Sequence, residues 1–227
     1  MAAWFRPMPM TSPSPATTPV PTPTPAADGF IEARGLAFAH PGVPVFAGLS
    51  FTLRPGLTLL RGGEGRGKTS LLRLLAGEAV PSGGQLRRQL PPGASVWYAQ
   101  PQDETLDELL AEGWLAEQRR QHPAWRDDVA QALIEAFGLG EHLGKRLLML
   151  STGSRRKVGL VGAAASGAAL TLLDQPWAAL DARSGRVLTE VLTEAASETQ
   201  RAWVVADYER PADLAAVAWA GVIDLGD

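Results

Sequence analysis

Nine consecutive residues, 62–70, read GGEGRGKTS and set glycines, one lysine and two hydroxyls in an order suited to holding phosphate. Gly62, four residues, then Gly67, Lys68 and Thr69 satisfy the pattern G-x-x-x-x-G-K-[ST]. Gly62, Gly63, Gly65 and Gly67 let successive backbone N–H groups turn inward around anionic oxygens, and Lys68 supplies a point charge for the β- and γ-phosphates. The Thr69 hydroxyl is a hard oxygen donor suited to Mg²⁺, with Ser70 beside it. Glu64 and Arg66 are unusual inside such a loop. A carboxylate there repels phosphate unless it faces outward or pairs with Arg66, and the outward orientation is expected.

Such a loop works only when a strand and a helix aim it. Residues 57–60 (LTLL) form a short apolar run of buried-strand type, and residues 70–76 (SLLRLLA) read as a helix ended by Gly77. The helix N-terminus then adds partial positive charge where the phosphates lie. Strand, glycine loop and helix are in register.

The chain has 227 residues, of which 45% are hydrophobic and 20% charged, enough for one substantial core with a small appended portion. A formal net charge of −3 gives no electrostatic footprint for nucleic acid, and none is expected as a partner. With no cysteine there is neither a disulfide nor a thiolate metal site. The uncharged stretch 158–173 is too short and too rich in Ala and Gly for a spanning helix, and the N-terminus lacks the apolar region of a signal peptide. Any work at a membrane is expected to be done by docking.

Residues 1–28 hold eight of the 18 prolines, interspersed with Thr, Ser and Ala. This segment is expected to be a disordered tail, with a proline-rich ligand for a partner domain as the alternative. Folding is expected from residue 29 onward. Residues 30–38 and 49–53 alternate as strands, 81–84 (PSGG) mark a turn, and 95–99 (SVWYA) form another strand. From about 103 to 150 the pattern turns helical, with Leu106, Leu109, Leu110 and Trp114 at one spacing and Val129, Leu133, Ile134 and Phe137 at another. Beyond this insert come a Ser-capped helix from Ser151, strands at 170–173, 202–205 and 221–225, and helices at 183–196 and 211–218. The alternation predicts an α/β fold with a parallel sheet and the ligand at the C-terminal ends of its strands.

Further motifs line up in order. Residues 150–158 (LSTGSRRKV) are similar to the signature LSGGQ-R-x-[RK]-V, departing from it at Thr152 and Ser154. Residues 170–176 (LTLLDQP) resemble four apolar residues followed by D-E-P, and residues 178–181 (AALD) resemble the D-loop. From about residue 30 to its end the chain therefore resembles the nucleotide-binding subunit of ATP-binding cassette transporters. That resemblance implies a phosphate-loop NTPase core with an N-terminal antiparallel β portion and a helical subdomain insert. It implies ATP and Mg²⁺ as ligands, with Thr69, Asp174 and the Q-loop glutamine at the metal. Gln102 is the preferred Q-loop residue, with Gln100 as the alternative. It further implies that His40 takes the place of the adenine-stacking aromatic. Ser151 and Gly153 would meet the nucleotide of the opposite protomer in a homo- or heterodimer, and Asp181 of the D-loop would be a further nucleotide-binding residue. A polytopic membrane subunit would dock on the helical insert, at Leu109 or Trp114 for instance, and place the chain at the cytoplasmic face of a membrane.

Two positions depart from a working ATPase of this kind. Gln175 stands where the family has the glutamate that polarises water, and an amide cannot accept a proton at neutral pH. Asp207 aligns with the switch histidine, with Tyr208 one residue away. The resemblance implies slow hydrolysis, or alternatively a non-hydrolysing regulatory subunit paired with a competent one. A soluble phosphate-loop kinase or GTPase has no use for the signature or the D-loop, and the chain has no N-K-x-D guanine motif.

Overall fold

The computed structural model describes residues 29–98 and 103–226. The proline-rich segment 1–28 and the two Q-loop candidates, Gln100 and Gln102, lie outside the described residues. The chain begins with an antiparallel hairpin of β1 (Ile31–His40) and β2 (Val43–Leu53), closed where His40 pairs with Val43. Both strands run further than the alternation predicts. Register shifts between Ala33 and Ala39 break the period of two that marks a strand in sequence.

Then come β3 (Gly56–Arg61) and α1 (Lys68–Ala76), which buries Leu71, Leu72, Leu74 and Leu75. The predicted turn at 81–84 is in part a strand, β4 (Gly83–Arg88), which pairs with the free side of β1. Gly84 is there for close approach, since a Cβ would lie 2.2 Å from the Gly35 carbonyl oxygen. Arg88 on β4 donates to the carbonyls of Leu74 and Leu75 and so caps the end of α1.

After β5 (Val96–Trp97), the helical region holds α2 (Ala111–Gln121) and α3 (Asp127–Ala136). Leu106, Leu109 and Leu110 share no long helix with Trp114. They lie in a short 3₁₀ turn and a link in which Leu110 bridges to Arg146. Next are α4 (Thr152–Ala165), β6 (Leu170–Asp174), α5 (Ala182–Ala196), β7 (Ala202–Asp207) and β8 (Gly221–Asp224). The predicted helix at 211–218 is only a 3₁₀ turn, Ala212–Leu214, in which Leu214 alone is buried. Val217 also packs against the core but is only partly buried, and two anchors over so short a span do not sustain a longer helix.

The five parallel strands stand in the order β5-β6-β7-β3-β8. Their central members, β3, β6 and β7, are buried on both faces, which explains their nearly unbroken apolar runs. Arg61 pairs with Asp207 and Asp174 with Ala206, so the ends of β3, β6 and β7 share one edge of the sheet. The glycine loop leaves from that edge.

Trp114 is a core residue, 2% exposed and edge-on to Trp97 at 5.9 Å, and so does not belong to a docking face. Leu109, by contrast, is exposed. Trp114→Ala is expected to cost about 3–5 kcal/mol of stability by leaving a cavity beside Trp97. Chemical denaturation measures this, and an unchanged midpoint would return Trp114 to the surface.

Candidate functional site

The residues from Gly62 to Ser70 wrap the N-terminus of α1, and their conformation follows from two glycines in particular. Gly67 has φ +93°, and a Cβ on it would lie 2.4 Å from Val45 Cγ1. It needs glycine both for its backbone and for the β2 side chain packed on it. Gly65 has φ +73° and faces open space. The first turn of α1 contains no acidic residue and no side chain caps it, so its N–H groups remain available to an anion.

Lys68 is only 6% exposed. Its Nζ donates to the carbonyls of Gly62 at 2.6 Å and Gly63 at 2.9 Å, and lies 4.3 Å from the centre of the Tyr208 ring. Thr69 Oγ1 donates to Asp174 Oδ2 at 2.5 Å. The other carboxylate oxygen, Asp174 Oδ1, is buried with no hydrogen-bond partner among the described residues. A hydroxyl and a carboxylate with an unsatisfied buried oxygen, both hard donors, fit Mg²⁺.

One cleft is lined by His40, Val45, Glu64, Gly65, Arg66, Gly67, Lys68, Thr69, Ser70, Gln175 and Tyr208. Glu64 and Arg66 are both exposed at it. His40 Nε2 lies 3.5 Å from Ser70 Oγ, and its ring meets Phe38 edge-on. Gln175 adopts φ +45°, uncommon for a residue with a side chain. Its N–H donates to the Ala206 carbonyl at 2.8 Å, which fixes it against β7.

Asp207 does not line this cleft, whereas Tyr208 does. The Asp207 carboxylate turns back on its own chain and accepts from the Tyr208 N–H at 2.8 Å. Burial raises its pKa, outweighing the Tyr208 N–H and the Lys68 charge, which lower it, and Asp174 adds to the rise. The folded chain thus holds this proton more tightly than the unfolded chain. Stability is lost as pH rises from the ordinary value of 3.8 through the raised folded value. Asp207→Asn is therefore expected to raise the melting temperature at neutral pH, the gain closing as pH falls toward 3.8. An equal gain at every pH would assign it to packing.

Ser151, Gly153 and Asp181 do not line the cleft of their own chain. Ser151 caps α4, its Oγ accepting from the Ser154 N–H at 3.1 Å. Gly153 has its own steric reason, since a Cβ there would lie 2.4 Å from the Ala179 carbonyl oxygen. Asp181 caps α5 through Ser184 and pairs with Lys157 at 2.7 Å. The Lys157 hydrogen bond and then those from Ser184 hold its carboxyl well below the usual carboxylate range.

Sequence reasoning missed Val45, whose contact with Gly67 crosses from another sheet, and Arg156, which donates to the carbonyls of Asp174 and Gln175. Neither carries a motif signal.

The profile of the ABC transporter family matches residues 46–178. The cytochrome c biogenesis ATP-binding export protein CcmA of Ruegeria pomeroyi is 37% identical over 150 residues, covering 64% of this chain and 69% of that protein. The taurine import ATP-binding protein TauB of Pseudomonas entomophila is 30% identical over 181 residues, covering 75% of this chain and 70% of that protein. Among solved structures, a putative ABC transporter (ATP-binding protein) from Pyrococcus furiosus gives a TM-score of 0.67 at 20% identity, over 86% of this chain and 96% of that one. A likeness at that identity speaks for the fold alone.

Proposed function

Because this chain belongs to the ABC transporter family as an ATP-binding subunit, we propose that it binds Mg·ATP in the cleft around Lys68 and drives a membrane partner by nucleotide-dependent pairing. The observation that carries this reading is the convergence of the uncapped α1 N-terminus, Lys68, Thr69 and the unsatisfied Asp174 oxygen. Thr69 and Asp174 would hold Mg²⁺, which supplies charge neutralisation for the terminal phosphates. Lys68 would exchange the Gly62 and Gly63 carbonyls for phosphate oxygens, and His40 would stack on the base. Ser151 and Gly153, which do not line their own cleft, would meet the nucleotide of a second protomer in a head-to-tail pair.

The region 103–150 serves in this proposal as the arm that meets a polytopic membrane subunit at the cytoplasmic face, with exposed Leu109 as a contact. Among the described residues no helix is long and apolar enough to cross a membrane, and in this proposal the partner subunit supplies the spanning part. The names of the relatives divide between export and import, and the proposal is confined to the motor step. Gln175 supports slow turnover. With Tyr208 rather than histidine at the cleft, it also favours a second reading, a non-hydrolysing subunit gated by ATP and paired with a competent sister.

The test is calorimetry and light scattering on the full chain. Mg·ATP is expected to bind and shift the protein toward a dimer, and Mg·ADP to bind without pairing. Absence of ATP binding would overturn the proposal.

A further inference from the structure

Arg156 is a half-buried cation on α4 whose hydrogen bonds go to two backbone carbonyls. Its Nη1 donates to the carbonyl of Asp174 at 3.2 Å and to the carbonyl of Gln175, while its Nε is buried with no partner among the described residues. Burial disfavours its charged form, and the Asp174 charge opposes that effect. A long charged side chain is expensive in this position. The cost falls on the corner where β6 ends, between a carboxylate with an unsatisfied oxygen and a residue at φ +45°.

Asp174 pairs with Ala206 in the sheet and its Oδ2 accepts from Thr69, and Arg156 adds a restraint from the other side, α4. The Gln175 N–H reaches Ala206 and its carbonyl also accepts from the Ala178 N–H at 3.1 Å, but the Asp174 carbonyl lies at the very end of its strand. We infer that Arg156 is a positioning residue that fixes the direction of the Asp174 carboxylate toward Mg²⁺ by clamping the Asp174 and Gln175 carbonyls from α4. It touches neither metal nor nucleotide and acts through the backbone. The residue occupies the variable position of the signature, so the motif does not foretell it. The same helix end is stitched to the following loop twice more, through Lys157 to Asp181 and through Gly153 against Ala179. The start of α4 is therefore tied to the corner that carries the Asp174 carboxylate.

This inference rests on the Mg·ATP reading above, and the experiment separates the two. The full chain is titrated calorimetrically with ATPγS over a range of Mg²⁺ concentrations, comparing wild type, Arg156→Lys and Arg156→Met, with melting temperatures measured alongside. Arg156→Met is expected to raise the Mg²⁺ concentration for half-maximal tightening about tenfold. ATPγS affinity without Mg²⁺ should stay within about twofold of wild type, since a positioning effect is confined to metal-dependent binding. Arg156→Lys, which keeps the charge and can still donate to a carbonyl but lacks the guanidinium fork, is expected to recover part of the shift. A Mg²⁺ midpoint unchanged in Arg156→Met would overturn the inference alone. A parallel loss of both affinities with melting temperature would reduce Arg156 to a structural role and overturn it too. If Arg156→Met does not fold, adding Gln175→Gly relieves the positive φ and the midpoint is read on that background against Gln175→Gly alone. Wild type that binds no ATPγS would remove the parent reading and this inference together.

Discussion

Gln175→Glu is expected to raise steady-state ATP hydrolysis by about 10²–10⁴-fold, the range a positioned general base contributes. At about 1.36 kcal/mol per decade this is roughly 3–5 kcal/mol of barrier. The backbone that aims residue 175 does not depend on its amide, because its N–H goes to Ala206 and its carbonyl to Arg156 and Ala178. A glutamate would thus project into the same cleft, beside Thr69 and Lys68. Adding Tyr208→His at the cleft is expected to help further. Asp207→His should add less, since that side chain turns back on its own backbone. Brisk wild-type turnover with no gain in Gln175→Glu would sink the reading of an impaired site.

Lys68→Ala is expected to lower ATP affinity by about 10- to 100-fold. Charge-assisted hydrogen bonds are worth about 1.5–3 kcal/mol each, and about 1.4 kcal/mol is a decade. The loss is smaller than the gross strength of a phosphate contact because the ammonium already has two carbonyl partners and an aromatic face within its own chain. Calorimetry with Mg·ATP measures it, and unchanged binding would remove Lys68 from the site.

The parallel sheet was legible because β3, β6 and β7 are buried on both faces and announce themselves as apolar runs. The glycine loop was legible because its chemistry is local. What escaped was set by contacts distant in sequence. β4 reads as a turn because Gly83 and Gly84 are the usual marks of one, and only the Gly35 backbone across the sheet explains Gly84. Trp114 looks like a surface anchor until Trp97 is placed edge-on to it. The one-residue offset that brings Tyr208 rather than Asp207 to the cleft depends on how β7 ends, which no pattern in residues 204–208 specifies.

The two central letters of the signature differ in how freely they can drift. Thr152 is exposed at the start of α4, and a side chain there has solvent to enter. Position 153 lies under the Ala179 carbonyl, where even a methyl group would collide at 2.4 Å. The fold therefore accommodates a side chain at position 152, where the signature has its first glycine, without any rearrangement. Replacing the second would first require the loop around Ala179 to be rebuilt. The exposed letter of the signature is sterically free, whereas Gly153 is demanded by a contact internal to one protomer.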